Sequence, residues 1–337
     1  MNKFWQHKTI FRLLLLFCIG LGLVFLFQKI NLQGRDLLDA FQRFSIESLF
    51  LMLGVTLVQM AFQVTRLWVL CPQSAGVSWA QAANTYVSGQ FIGNFVLSQA
   101  GHAVKIALLR KDKDTKGRKI DAAEATAVIL VDKMLDVGIL VTLAVLSALQ
   151  VSVGLPQVDW WEKGIILLIG IPFLGAALWA ILRGLRQRFP KLRQWFRKFK
   201  IGLAVIRNPL QIRNAAVMDL GDWFTECLLL QMLCMAQGHV LSLPQLLICL
   251  FVLNLGLTVP TTMANLGTYE AALAFSLNGM GVPLAQSVVI ATMFHAYQLF
   301  SLPVWTFIQK LSYRFSPKLD STLSIPIPQK RTKVTSK

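Results

Sequence analysis

Charge is scarce in this chain, and acidic charge is scarcest. Only 15% of its 337 residues are Asp, Glu, Lys or Arg, and 16 acidic residues stand against 33 basic ones. A soluble domain of this length covers its surface with far more charge, so a water-facing globular protein is excluded. Paired metal ligands are missing too. His7, His102, His239 and His295 lie far apart, with no HxxxH or HExxH spacing, so neither a metal nor a cofactor is expected. The five cysteines (Cys18, Cys71, Cys227, Cys234 and Cys249) form no CxxC pair and no secreted framework. They sit in or at the ends of apolar runs, where Cys packs as a small apolar side chain. A DDxxD-type acid cluster is also lacking, which argues against a transferase that holds a metal-bound pyrophosphate.

What is abundant is hydrocarbon. Hydrophobic residues make up 55% of the chain. They gather in runs over Ile10 to Phe27, Ser45 to Leu70, Ala122 to Leu149, Gly164 to Leu182, Ala215 to Ala236, and Pro283 to Ile308. Each approaches or exceeds the ~20 residues that cross ~30 Å of hydrocarbon. The first run starts among Lys3, Lys8 and Arg12 and continues into "QKINLQGRD" without a small-residue cleavage pattern, so it reads as a retained helix.

The net charge of +17 does not point to nucleic acid, because 27 of the 33 basic residues fall in four segments beside apolar runs. They lie around the start of the first run, in Lys105 to Lys119, in Arg183 to Arg213, and from Lys310 onward. That is the positive-inside pattern, with contact to anionic lipid headgroups at the cytoplasmic face. With all four segments and both termini inside, two regions become awkward as full crossings: residues 81–104 and 245–280. Both carry breakers. "SGQFIGNFVLSQAGHAVKIALL" holds Gly89, Gly93, Asn94, Ser98 and Gly101, and "LNLGLTVPTTMANLGTYEAALAF" holds Gly256, Pro260, Asn265 and Gly267. Read as dips that return to the side they left, they satisfy the charge pattern.

The expected fold is an all-α polytopic membrane protein. About six transmembrane helices accompany two broken re-entrant helical hairpins in an inverted-repeat arrangement, a sequence pointer to a transporter's central site. The alternative is roughly eight full spans. Residues 1–315 form a single membrane domain. Within it, residues 190–207 place Leu192, Trp195, Phe196, Phe199, Leu203 and Ile206 on one face of an amphipathic cytoplasmic surface helix. Residues 316–337 read as a disordered cytoplasmic tail.

Ionisable groups at membrane depth are functional candidates by default. These are Arg66, His102, Lys105, Asp132, Lys133, Asp136, Asp219, Asp222, Glu226, Glu270 and His295. Asp132 and Asp136 share a face, as do Asp219, Asp222 and Glu226. For Asp219 an interfacial pairing with Arg213 or another nearby base is the favoured reading. Lys105 either snorkels to the basic loop or meets a phosphate. Glu270, in the first turn of a restarting helix, is either a structural anchor or a gating and coupling group, with Asn265 or Thr268 as the cap. Its expected partners are Lys105, His102 or His295, across the repeat interface.

Three stretches carry a family resemblance. "VPTTMANLGTYEAAL" resembles a Pro-, Gly- and Glu-containing segment of the lysylphosphatidylglycerol synthase transmembrane, or flippase-like, family. Pro260, Gly267 and Glu270 match, and Asn265 stands where many members have Gly. "AVILVDKMLDVGIL" resembles its acidic and basic segment through Asp132, Lys133 and Asp136. "GNFVLSQAGHAVKIALL" matches another segment at Asn94, Gly101 and Lys105, with Ser98 replacing a Pro and His102 a Glu. The resemblance implies a cytoplasmic-membrane protein that moves, or helps move, a phospholipid or polyprenyl-linked headgroup between leaflets. Its best known relatives join this module to a soluble synthase that aminoacylates phosphatidylglycerol. With 24 residues after Tyr313, synthase activity is not expected. A non-catalytic partner of a lipid-modifying enzyme and a membrane-embedded lipid transferase are the alternatives. A homo-oligomer or an enzyme partner fits either.

Overall fold

Ser45 opens the first long helix by accepting a hydrogen bond from the Ser48 amide at 3.2 Å, and an apolar run carries the helix on to Leu70. The structure is a computed structural model and describes residues 39–40, 42–95, 98–111, 119–150, 194, 197–200, 202–258 and 265–315. The expected first and fourth spans, Pro260, Trp195, Phe196 and the tail 316–337 lie outside the described residues. Within the expected surface helix, residues 197–200 are helical and Leu203–Arg207 forms a 3-10 turn.

Eight α-helices follow in order, and no strand occurs among the described residues. They are α1 (Ile46–Leu70), α2 (Trp79–Phe95), α3 (Ser98–Lys111), α4 (Ala122–Gln150), α5 (Pro209–Ala236), α6 (Leu243–Leu257), α7 (Thr268–Gly279) and α8 (Leu284–Phe315). Their starts follow local chemistry. Asn208 caps α5 with Pro209 in its first turn, and Ser242 and Gln245 form a capping box on α6. Among the described residues two helices, Ile46–Leu70 and Leu284–Gln309 within α8, are long and apolar enough by length and composition to cross a membrane. At 29 and 28 residues, α4 and α5 reach the same length and carry buried acids among their apolar residues. By contrast α2, α3, α6 and α7 have 17, 14, 15 and 12 residues. At ~1.5 Å per residue, each is shorter than ~30 Å of hydrocarbon.

The helices pack as two groups of four. α1 lies along α5 at the centre. In the first group α1 touches α2, α2 touches α3, and α3 touches α4; in the second α5 touches α6, α6 touches α7, and α7 touches α8. Between groups, α2 meets α8 as α6 meets α4, and α1 meets α8 as α5 meets α4. Exchanging the groups maps each of these contacts onto another. The apolar core forms two clusters, each drawn mainly from one group, with Met52 and Leu140 of the first group joining the second cluster and Ala215 and Leu302 of the second joining the first. Val64, Leu67, Tyr86, Val128 and Ile129 belong to one cluster, and Leu230, Leu233, Leu250, Leu273 and Phe294 to the other.

The glycines of the first hairpin do something other than what the sequence suggested. Gly89, Gly93 and Gly101 lie inside α2, which ends at Phe95, and α3, which begins at Ser98. A Cβ on Gly101 would stand 2.5 Å from the Gly89 carbonyl oxygen and 2.8 Å from the Gly93 Cα. These residues let two helix backbones touch, the usual task of small residues at membrane helix crossings. In the second hairpin the break is real. Asn265 and Gly267 have φ of 54° and 84°, and glycine takes that left-handed geometry without steric cost.

Candidate functional site

Arg66 lies in the C-terminal part of α1 and is 1% exposed. A guanidinium with five N–H donors cannot stay buried without acceptors. α4 and α5 supply them. Nε donates to Asp132 Oδ1 at 2.8 Å and Nη1 to Asp136 Oδ1 at 3.3 Å; Nη1 also lies 3.6 Å from Asp222 Oδ2 and abuts Asp219. Lys133 adds a second cation, with Nζ 2.7 Å from Asp136 Oδ2. Unit charges ~4 Å apart gain ~4 kcal/mol at an effective dielectric of ~20, against a desolvation cost of several kcal/mol per ion. The cluster holds together because one Arg serves several acids at once. Asp219 thus corrects the interfacial expectation: it is fully buried and paired with Arg66, not with Arg213.

Beside this cluster lies a polar cavity of about 160 Å³, room for several waters or a small polar group. Both helix groups wall it. α1 contributes Gln59, Gln63 and Arg66; α2 contributes Tyr86, Gln90 and Asn94, four apart on one face; α4 adds Lys133 and Asp136. From the second group come Asp222, Trp223 and Glu226 on α5, Asn254 on α6, Asn265 and Tyr269 around the start of α7, and His295 and Gln298 on α8. Gln63 Nε2 donates to Asp222 Oδ1 at 3.0 Å, and Gln298 Nε2 donates to Gln59 Oε1 at 3.1 Å, tying the groups across the cavity.

Of the residues singled out from sequence, Arg66, Asn94, Asp136, Asp222, Glu226, Asn265 and His295 therefore face one space. Others stand directly behind its wall. Asp132 orients Arg66. Glu270 Oε1 and His295 Nδ1 are 2.7 Å apart, while Glu270 Oε2 accepts the Gly267 amide at 2.7 Å. Glu270 is thus both an anchor of its helix start and the support of a cavity residue. Its partner belongs to the same helix group rather than to the opposite one, and the N-cap position is Gly267, not Asn265 or Thr268. Tyr269 stacks on the same imidazole at 4.2 Å between ring centroids.

Lys105 is 1% exposed, with Nζ 3.8 Å above the Tyr86 ring and 3.2 Å from Gln90 Oε1. It does not snorkel to the basic loop; it is turned inward beneath two cavity residues. Gly89 makes this possible, because a Cβ there would collide with the Lys105 stem. His102 is half-buried on α3 and outside the cavity wall, and Gly101 serves the α2–α3 contact. The Ser98 side chain and Pro260 lie outside the described residues.

Apart from Asn94 and Asn265, the neutral polar residues of the wall were not singled out from sequence. Gln59 and Gln63 precede Arg66 on its own helix face, and Tyr86, Gln90 and Asn94 repeat every fourth residue. That polar stripe in an apolar helix was the available signal.

Comparison with known proteins fits this arrangement of buried charge in apolar helices. No curated protein and no solved structure matches the chain. The family described as the lysylphosphatidylglycerol synthase TM region matches residues 10–304. The chain belongs to that transmembrane family.

Proposed function

We propose that this protein is a flippase-like transporter of the cytoplasmic membrane, moving a phospholipid or a lipid-linked headgroup between leaflets. The observation that carries this reading is the cavity: a polar space lined by side chains from both helix groups, within a chain of a transmembrane family. A headgroup cannot cross hydrocarbon without losing its water, and a charged or hydrogen-bonding wall replaces that water. The short hairpins α2–α3 and α6–α7 occupy corresponding positions in the two groups. We take them as re-entrant dips entered from opposite faces, with both termini in the cytoplasm. No bond is made or broken in this reading; the protein is not an enzyme, and it works with lipid alone, without metal or nucleic acid.

Purified protein reconstituted in liposomes with fluorescent anionic and zwitterionic lipids tests it. Leaflet exchange well above that of protein-free liposomes is expected for at least one headgroup class; exchange at the protein-free rate for both overturns the transport reading and favours a partner role for a lipid-modifying enzyme. Single-cysteine labelling tests the dips: positions near Gly76 and Lys119 label from the cytoplasm only, and Gly238 from outside only. Labelling of Gly76 and Lys119 from opposite faces replaces the dips with full crossings.

A further inference from the structure

Charge around the cavity does not balance. Asp132, Asp136, Asp219, Asp222 and Glu226 converge from α4 and α5, against Arg66 and Lys133. One carboxylate oxygen each from Asp136, Asp219 and Asp222 lie within 4.8 Å of one another. Among the described residues, the only other cation behind this part of the wall is Lys105, engaged by the neutral Tyr86 and Gln90. The remaining titratable neighbours are Tyr86 from α2, Tyr269 from α7, and the His295 imidazole, which faces its own carboxylate, Glu270. Buried carboxylates this close do not all ionise; they share protons.

Two further observations locate the proton. Glu226 lines the cavity one helical turn from Asp222 and has no hydrogen-bond or ion-pair partner among the described residues. Among the described residues, Asp219 Oδ1 abuts Arg66 while its Oδ2 has no partner, and the indole N–H of Trp223, a buried residue of the same wall, has none either. Asp222, by contrast, is held by Gln63 and Arg66. We propose that the Asp222–Glu226 pair is a proton-binding site open to the cavity, and that its proton is the coupling ion for lipid movement. The second clause rests on the transport reading above; the first does not. A proton passes from cavity water to a carboxylate oxygen of the pair and returns to water when the pair ionises. No other bond changes. In the protonated state Glu226 is neutral and offers an O–H donor to an incoming phosphate oxygen; in the ionised state it repels one.

Infrared spectroscopy of the protein in lipid nanodiscs, titrated from mildly acidic to alkaline pH, tests the site without requiring transport. The carbonyl stretch of a protonated carboxylic acid is expected at neutral pH and disappears at alkaline pH. Glu226→Gln, nearly isosteric and partnerless, is expected to remove most of it; Asp222→Asn serves as the second variant. Absence of the band at neutral pH overturns the proposal, and so does a band unchanged in both variants. Leaflet exchange over the same pH range tests coupling. A rate limited by one proton falls about tenfold per pH unit once the pair has ionised, and that dependence is expected to flatten in Glu226→Gln. Exchange in wild-type protein that is independent of pH overturns the coupling. A titrating band with no lipid exchange at any pH upholds the proton site and removes the transport reading instead.

Discussion

The two short-helix hairpins occupy equivalent places and are built from opposite chemistry. α2 and α3 are pressed together through Gly89, Gly93 and Gly101, and the space so gained holds a cation, Lys105, with neutral partners. α6 and α7 are separated by a backbone break at Asn265 and Gly267. Just beyond that break stands an anion, Glu270, tied to its own helix start and to His295. One hairpin is made stiff by backbone contact, the other by a hydrogen-bonded corner. A shared packing plan thus does not impose a shared polarity, and the cavity between the hairpins acquires two different ends.

Substitutions can break this comparison, beginning where the two groups are joined. Arg66→Met leaves four aspartates buried without their common partner and is expected to cost ~3–5 kcal/mol. Thermal unfolding in detergent should show it, with partial recovery when Asp132→Asn and Asp219→Asn are added; a stable single variant would mean that the groups are held together by apolar packing alone. Next comes the stiff hairpin. Gly101→Val drives a side chain into the Gly89 and Gly93 backbone, with an expected cost of ~1–3 kcal/mol. Gly256→Ala in the other hairpin meets only the Ala272 methyl, at 2.8 Å, and should cost clearly less. Equal losses for the two, measured side by side, would erase the contrast in stiffness.

At the hydrogen-bonded corner, Glu270→Gln keeps an acceptor for the Gly267 amide but loses the charge beside His295. Stability should fall by only ~0.3–1 kcal/mol, while leaflet exchange is lost; full exchange at normal abundance would leave Glu270 a structural residue only. The smallest effect is expected at the membrane surface. Lys198 Nζ lies 2.6 Å from Asp121, and that hydrogen bond holds the Asp121 carboxyl below its usual range. A lowered folded-state pKa means that the pair stabilises above the normal carboxylate range and that the gain fades as pH falls through it. Both side chains are about half exposed, so solvent screening limits the loss in Lys198→Ala to no more than ~0.5 kcal/mol, erased by salt.

Much of this could be read from the chain. α1 and α4 follow their apolar runs closely, whereas α5 starts earlier than its run, at Pro209, and α8 continues past Ile308 to Phe315; the short helices α2, α3, α6 and α7 fall in the two regions that were awkward as full crossings. The spacing of Asp132 with Asp136, and of Asp222 with Glu226, gave the shared faces correctly. What the chain did not disclose was which face meets which. Asp219 looked interfacial because α5 begins among basic residues; only the crossing of α1 over α5 brings Arg66 to it. Gly89 and Gly101 looked like breakers because glycine's two uses, freedom of backbone and absence of a side chain, are written with the same letter. Gln59, Gln63, Gln90 and Gln298 passed unnoticed because neutral amides weigh little in a charge count, although they wall the cavity.

The Arg66 cluster also has a consequence for synthesis. Arg66 leaves the ribosome long before Asp132, and well over a hundred residues before Asp219 and Asp222. During that interval α1 carries an unmatched guanidinium that cannot settle at its final depth. α4 brings the first acids, Asp132 and Asp136, and α5 completes the cluster with Asp219 and Asp222. Because α5 also pairs with Arg66, fragments cut between α4 and α5 are expected to be less stable when made apart than when made together, which their abundance in membranes would show.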